Sequence, residues 1–194
     1  MAKRSSRPTG VNEAAIRLRR FLDRLYSASG ALAALCLAGI FVLMLAQAIG
    51  REFGLLIRAA DDVTAWLCAA SAFFALGHTF RHGELVRVGL FIDMLKGGPR
   101  RAAEITALGI TALFVGYMAW AVTKFVYESW KFKEVAQGLV KIPIWIPQLC
   151  FVLGVLIFLV AIVDDLVLVL RKQKPSYQLA EEERRARGDF SEMA

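Results

Sequence analysis

Four stretches of the chain are almost free of charge: Tyr26–Gly50, Val63–Phe80, Ile105–Thr123 and Ile142–Val163. Each approaches the roughly 20 residues that carry a helix across the hydrocarbon core of a bilayer. In lipid a spanning backbone must satisfy its own hydrogen bonds, so only helices and closed barrels cross. Barrel strands are short and alternate in polarity; these runs are long and uniformly apolar. The expected fold is therefore an all-α membrane protein with four transmembrane helices, at about 25–49, 62–81, 103–127 and 144–170. The composition agrees: 57% of residues are hydrophobic, above the roughly 45–50% of a soluble domain. Most soluble enzymes, a disordered chain and a disulfide scaffold are excluded. Cys36, Cys68 and Cys150 each sit inside an apolar run with no paired spacing, as small buried hydrophobes do.

Charge then orients the helices. The net charge is +7, but the basic residues lie in the gaps between apolar runs rather than on one face or tail, so nucleic acid is not the expected partner. Successive gaps hold seven, two, five, four and six Lys plus Arg, so alternate segments carry eighteen against six. By the positive-inside rule, both termini and the middle loop are expected in the cytoplasm. Residues 1–24 are expected to form a cytoplasmic N-terminal tail, 25–170 the membrane domain, and 171–194 a charged cytoplasmic tail with a short helix at 179–187. The first apolar run follows about 25 polar residues and exceeds the roughly 7–15 of a signal h-region, so it is expected to be a retained helix.

Some finer features follow. In residues 11–25, Ala14, Ala15, Leu18, Phe21, Leu22 and Leu25 recur at helical spacing, with Arg17, Arg20 and Arg24 on other faces. This fits an amphipathic helix on the membrane surface or an extension of the first span; the sequence does not choose. Gly30, Ala34 and Ala38 lie four apart, a spacing that lets another helix approach closely. Ala112 and Gly116 repeat it. Val88, Phe91, Ile92 and Leu95 suggest an interfacial helix ended by Gly97-Gly98-Pro99. Trp66, Trp120, Trp130 and Trp145 mark one interface, and Pro143 and Pro147 suit the start of the fourth helix.

The polar residues are few. Gln47 is expected to make an interhelical hydrogen bond. Asp61 and Asp62 open the second helix, where carboxylates complement the dipole. Asp164 and Asp165 stand near the end of the fourth, where they oppose it, so they should seek a cation. A salt bridge to a basic residue or a partner subunit is favoured over a transport role, since they lie at the membrane edge and not its centre. His78 and His82 share a helix face at a spacing that can hold a metal, but no further ligand cluster faces them. No phosphate-binding loop or nucleotide fingerprint is present. No charged group stands at mid-membrane, where a self-sufficient transporter of a charged substrate needs polar groups or broken helices. The chain reads as a packing subunit and not an enzyme.

The order of GREFG after the first helix, DDVTAWLCAASAFFALG, FRHGELVRVGLFIDML and KIPIWIPQLCFVLG resembles the small membrane subunit of tripartite ATP-independent periplasmic (TRAP) transporters, the DctQ-like family. The resemblance covers roughly 20–172. Leu85 departs from it, standing near where members often carry His. The resemblance implies two partners, a large multi-helix membrane subunit and a periplasmic substrate-binding protein, in the bacterial inner membrane. It implies uptake of an organic acid coupled to sodium. Substrate and sodium sites are then expected on the large subunit, with no substrate site, metal or cofactor on this chain. The small subunit would pack against the fixed scaffold of the large one and against lipid. The residues expected to serve assembly are Arg51, Asp61, Asp62, Arg81, Asp164 and Asp165, with the face of Gly30, Ala34 and Ala38. The rival readings are the membrane anchor of a redox enzyme, with haem on His78 or His82, and a stand-alone exporter.

Overall fold

The computed structural model describes residues 10–54, 59–82, 98–136 and 141–171. They form four helices: α1 (Gly10–Glu52), α2 (Ala60–His82), α3 (Gly98–Lys131) and α4 (Trp145–Leu170). All four are long and apolar enough to cross a membrane. Among the described residues there is no strand, only a lone bridge between Val135 and Pro143. The interfacial helix expected around Val88–Leu95 and the helix expected at 179–187 lie outside the described residues.

Helix α1 has 43 residues, about 64 Å at 1.5 Å each, twice the hydrocarbon thickness. Residues 11–25 and the first span are one continuous helix. The reason is local. No Gly or Pro interrupts residues 11–29, which are rich in Ala, Leu and Arg, all strong helix formers. One buried face also runs through the junction, at Leu22, Tyr26, Ser29 and Ala33. The helix ends where Gly54 takes φ +73°, the left-handed conformation that closes many helices. Helix α2 opens on Asp61 and Asp62. After α3 the chain turns at Lys133, with φ 53°, and is clipped to the approach of α4. There Ala136 N–H donates to Ile142 O at 2.8 Å, and Ile144 N–H to Glu134 O at 3.1 Å.

The helices pack as a row and not as a closed square. α1 lies on α2, α2 on α4, and α4 on α3, while α1 only grazes α4. Each junction is antiparallel except that between α2 and α4. The α2–α4 seam is the tightest. The ring centroids of Phe73 and Phe151 are 5.3 Å apart, and Phe80 meets Phe158 edge-on at 5.6 Å. Between them a Cβ on Gly154 would stand 2.7 Å from the backbone carbon of Phe73, and one on Gly77 2.9 Å from the Ile157 side chain. These two glycines let the helices touch. Association in lipid rests on such close packing, because the hydrophobic effect does not drive helices together there. Outward faces stay apolar: Leu35, Phe41, Val42 and Leu45 on α1, and Leu113, Phe114, Tyr117 and Trp120 on α3, are all exposed.

Candidate functional site

Polar side chains gather at the two ends of the row. At the basic end, α2 terminates between α1 and α4. Arg81, one residue before that terminus, pairs with Asp23 of α1 and, at 3.5 Å, with Asp164 of α4. Its guanidinium also lies 5.0 Å from the centroid of the Tyr26 ring, in cation–π range. One cation thus ties three helices together, and it is partly screened from solvent: the side chain is 24% exposed. Asp165, the next residue of α4, is buried, with 1% of its surface exposed.

The same end holds a second polar knot one turn deeper. The Tyr26 carbonyl accepts from Ser29 Oγ at 2.9 Å and lies 3.2 Å from His78 Nδ1. The His78 ring fills the space that a side chain at position 30 would need, 2.8 Å from a Cβ built on Gly30. So Gly30 is a true contact, whereas Ala34 and Ala38 are exposed. Helix α3 contributes Arg101, whose Nη2 donates to the Val169 and Leu170 carbonyls at 3.2 and 3.0 Å. These are carbonyls of the last described turn of α4, so the cation complements the helix dipole there. Arg100 pairs with Glu104 one turn on, at 3.3 Å.

At the opposite, tryptophan-rich end, Gln47 Nε2 donates to Asp61 Oδ1 at 3.3 Å, joining α1 to α2. Asp62 is half-buried and Arg51 is exposed. Ser129 Oγ donates to Glu134 at 2.9 Å, and Lys124 lies 5.6 Å from the Trp120 ring centroid. Of the residues singled out from sequence, the structure therefore joins Arg81 with Asp164, pairs Asp61 with Gln47, and leaves Arg51 apart.

Asp23, Tyr26 and Arg101 were not singled out. Asp23 was hidden among arginines that looked like its local partners, and the Arg101 contacts span 68 and 69 positions. The buried face shared by Leu22 and Tyr26 was the one available signal.

Between the two ends the hydroxyls are spent within their own helices. Ser71 donates to Cys68 O, Thr79 to Ala75 O, Thr111 to Ala107 O and Thr123 to Ala119 O, all between 2.7 and 3.0 Å. Among the described residues no three His, Cys, Asp or Glu side chains come together as a metal site. His82 lies outside the described side chains. The arrangement can hold helices in register; it presents no converging donors to an anion crossing the membrane.

No curated protein matches the chain. A family model described as "Tripartite ATP-independent periplasmic transporters, DctQ component" matches residues 40–172, from the last third of α1 through the whole of α4. The matched region contains Arg51, Asp61, Asp62, Arg81, Asp164 and Asp165, while Asp23, Tyr26 and Gly30 precede it. It covers well over half of a chain whose four helices can each span a membrane: the protein belongs to the DctQ component family, the small subunits of tripartite ATP-independent periplasmic transporters.

Proposed function

We propose that this small subunit is the fixed scaffold of its transporter. It sits in the bacterial inner membrane with its basic end and both termini in the cytoplasm, as the loop charges require. It packs on the large membrane subunit through an outward apolar face and widens the part of the complex that stays still during transport. The tryptophan end then faces the periplasmic substrate-binding protein. The cargo is an organic acid, taken up with sodium, and both are bound by the large subunit. The small subunit needs no cofactor of its own.

One observation carries this reading: no unsatisfied polar group of the described residues stands at mid-span, since the buried Tyr26 Oη and Gln148 Oε1, which lack a hydrogen-bond partner, lie toward the two ends of the row. A carboxylate crossing lipid needs donors or cations near the midplane. Here the mid-span hydroxyls return to their own helices, and the interhelical ion pairs stand at one end. The redox-anchor reading is weaker, because the His78 ring is already engaged by the Tyr26 carbonyl and packed on Gly30.

The test is an affinity pull-down of the tagged chain from native membranes in mild detergent, with mass spectrometry of the co-purifying chains. A large multi-spanning TRAP subunit should accompany it. A chain that emerges alone and moves an organic acid in liposomes by itself would refute the proposal. So would one that emerges with a redox subunit and a Soret band.

A further inference from the structure

Arg17, Arg20 and Arg24 are exposed on α1. At 100° per residue they fall within about 60° of one another, on a single helix face. The buried residues Leu22, Tyr26 and Ser29 occupy the opposite face. The arginines therefore point directly away from the rest of the row. None of the three is in an ion pair among the described residues, and the acid in their midst, Asp23, is turned aside to Arg81. Beside them Phe21 is 63% exposed.

Their depth can be worked out from the fold. Trp66 on α2 marks the far interface. From Trp66 to Arg81 is fifteen helical steps, about 22 Å. Arg81 meets Asp23, so the count continues outward along α1 from there. Arg20 lies about 5 Å and Arg17 about 9 Å farther on. The total, about 27 to 32 Å, equals the thickness of the hydrocarbon core. Arg17 and Arg20 thus stand at the edge of the hydrocarbon core, Arg24, about 21 Å from Trp66, reaches the same boundary along its extended stem, and the exposed phenyl ring of Phe21 lies beside them.

We propose that this arginine face binds the headgroup phosphates of anionic glycerophospholipids in the leaflet at the basic end. Guanidinium forks match phosphate oxygens in pairs, and the ring of Phe21 buries beside the acyl chains. Because α1 is one continuous helix pinned at Asp23, lipids held here fix its tilt and depth at the edge of the complex. The inference rests on the membrane placement proposed above but not on the identity of the partner subunit.

The experiment uses the full chain in nanodiscs of mixed phosphatidylglycerol and phosphatidylcholine, with the retained lipids counted by native mass spectrometry. The expected result is a preference for phosphatidylglycerol. Each Arg→Gln change among R17Q, R20Q and R24Q should reduce it by up to about fivefold, the effect of roughly 1 kcal/mol per basic residue at a charged surface. The triple Lys variant should keep most of the preference, and the triple Gln variant should keep its helix content by circular dichroism. An unchanged preference in the triple Gln variant, or equal retention of phosphatidylcholine by the wild type, overturns the proposal. Capture of the large subunit by the triple Gln variant separates the two readings: lipid preference lost with capture intact supports the lipid site. Lipid preference present in a wild type that captures no TRAP subunit removes only the scaffold reading.

Discussion

Replacing Gly154 by Ala should loosen the α2–α4 seam, and the size of the effect follows from one contact. The added methyl would stand 2.7 Å from the backbone carbon of Phe73 and 2.8 Å from its oxygen. Carbon atoms settle at about 3.5–4.0 Å, so the two helices must part locally by about 1 Å. Neither neighbour can rotate aside, since both atoms belong to backbone inside α2. A gap of 0.5–1 Å forfeits a quarter to a half of each dispersion contact it opens, and the Phe73–Phe151 and Phe80–Phe158 pairs flank the site. Overpacking of this kind costs about 1–3 kcal/mol. Gly109 supplies the control, because a Cβ there meets nothing within 4 Å. G109A should be neutral or, through helix propensity, stabilising by about 0.5–1 kcal/mol. Unfolding of both variants in mixed micelles by rising SDS, followed by circular dichroism, measures the difference. If G154A unfolds at the same point as G109A, the seam is not the tight contact described here.

Two further perturbations address the rest of the row. R81Q should destabilise the chain more than D23N, because Asp23 is the more exposed partner, at 52% against 21% for Asp164; a double-mutant cycle between R81Q and D164N should give a coupling of about 1 kcal/mol, and additive single effects would remove the three-helix clasp from the account. Cys36 and Cys150 pack on the same small core of Ala33, Ala70 and Phe74, whereas Cys68 is exposed. A short thiol-to-thiol reagent should therefore link α1 to α4 through Cys36 and Cys150 in full-length C68S protein, and failure of that link to form would contradict the shared core.

The number and class of the helices were legible because charge-free length is a property of single segments. Contacts between segments were not. The small-residue face on α1 illustrates why. A row of residues four apart drifts by about 40° per step, so Ala38 is about 80° away from Gly30. The real seam alternates steps of three and four, at Tyr26, Ser29 and Ala33, and Ala34 and Ala38 turn out of it. The close approaches at Gly77 and Gly154 were missed for a related reason. A lone glycine signals a contact only when its opposite number is known, and that pairing belongs to the tertiary fold. Asp164 and Asp165 were conspicuous as acids at the wrong end of a helix dipole, and Arg81 was a candidate cation. The pairing of Asp23 with Arg81 bridges 58 positions, and nothing local in a run of arginines announces it.

The row order has a consequence for how such a subunit can be perturbed. With α1 and α3 at opposite edges, most of each edge helix faces outward, and the residues there are Leu, Val, Phe, Tyr and Trp. Among the described residues, the contacts that hold the row together lie mainly in two narrow seams around α2, a third between α3 and α4, and the charges at the basic end. Internal stability and external association therefore use nearly separate sets of residues. Changes at Gly154 or Arg81 act on the first set. Polar substitutions at Leu35, Val42, Leu113 or Tyr117 act on the second, since these side chains support none of the seams. In the scaffold reading, one edge should tolerate such substitutions because it faces lipid, while the other should lose the large subunit at unchanged stability. Comparing partner capture for paired substitutions on α1 and α3 therefore identifies the edge that meets the transporter. Equal tolerance on both edges would require the partner to approach across the flat of the row, over α2 and α4.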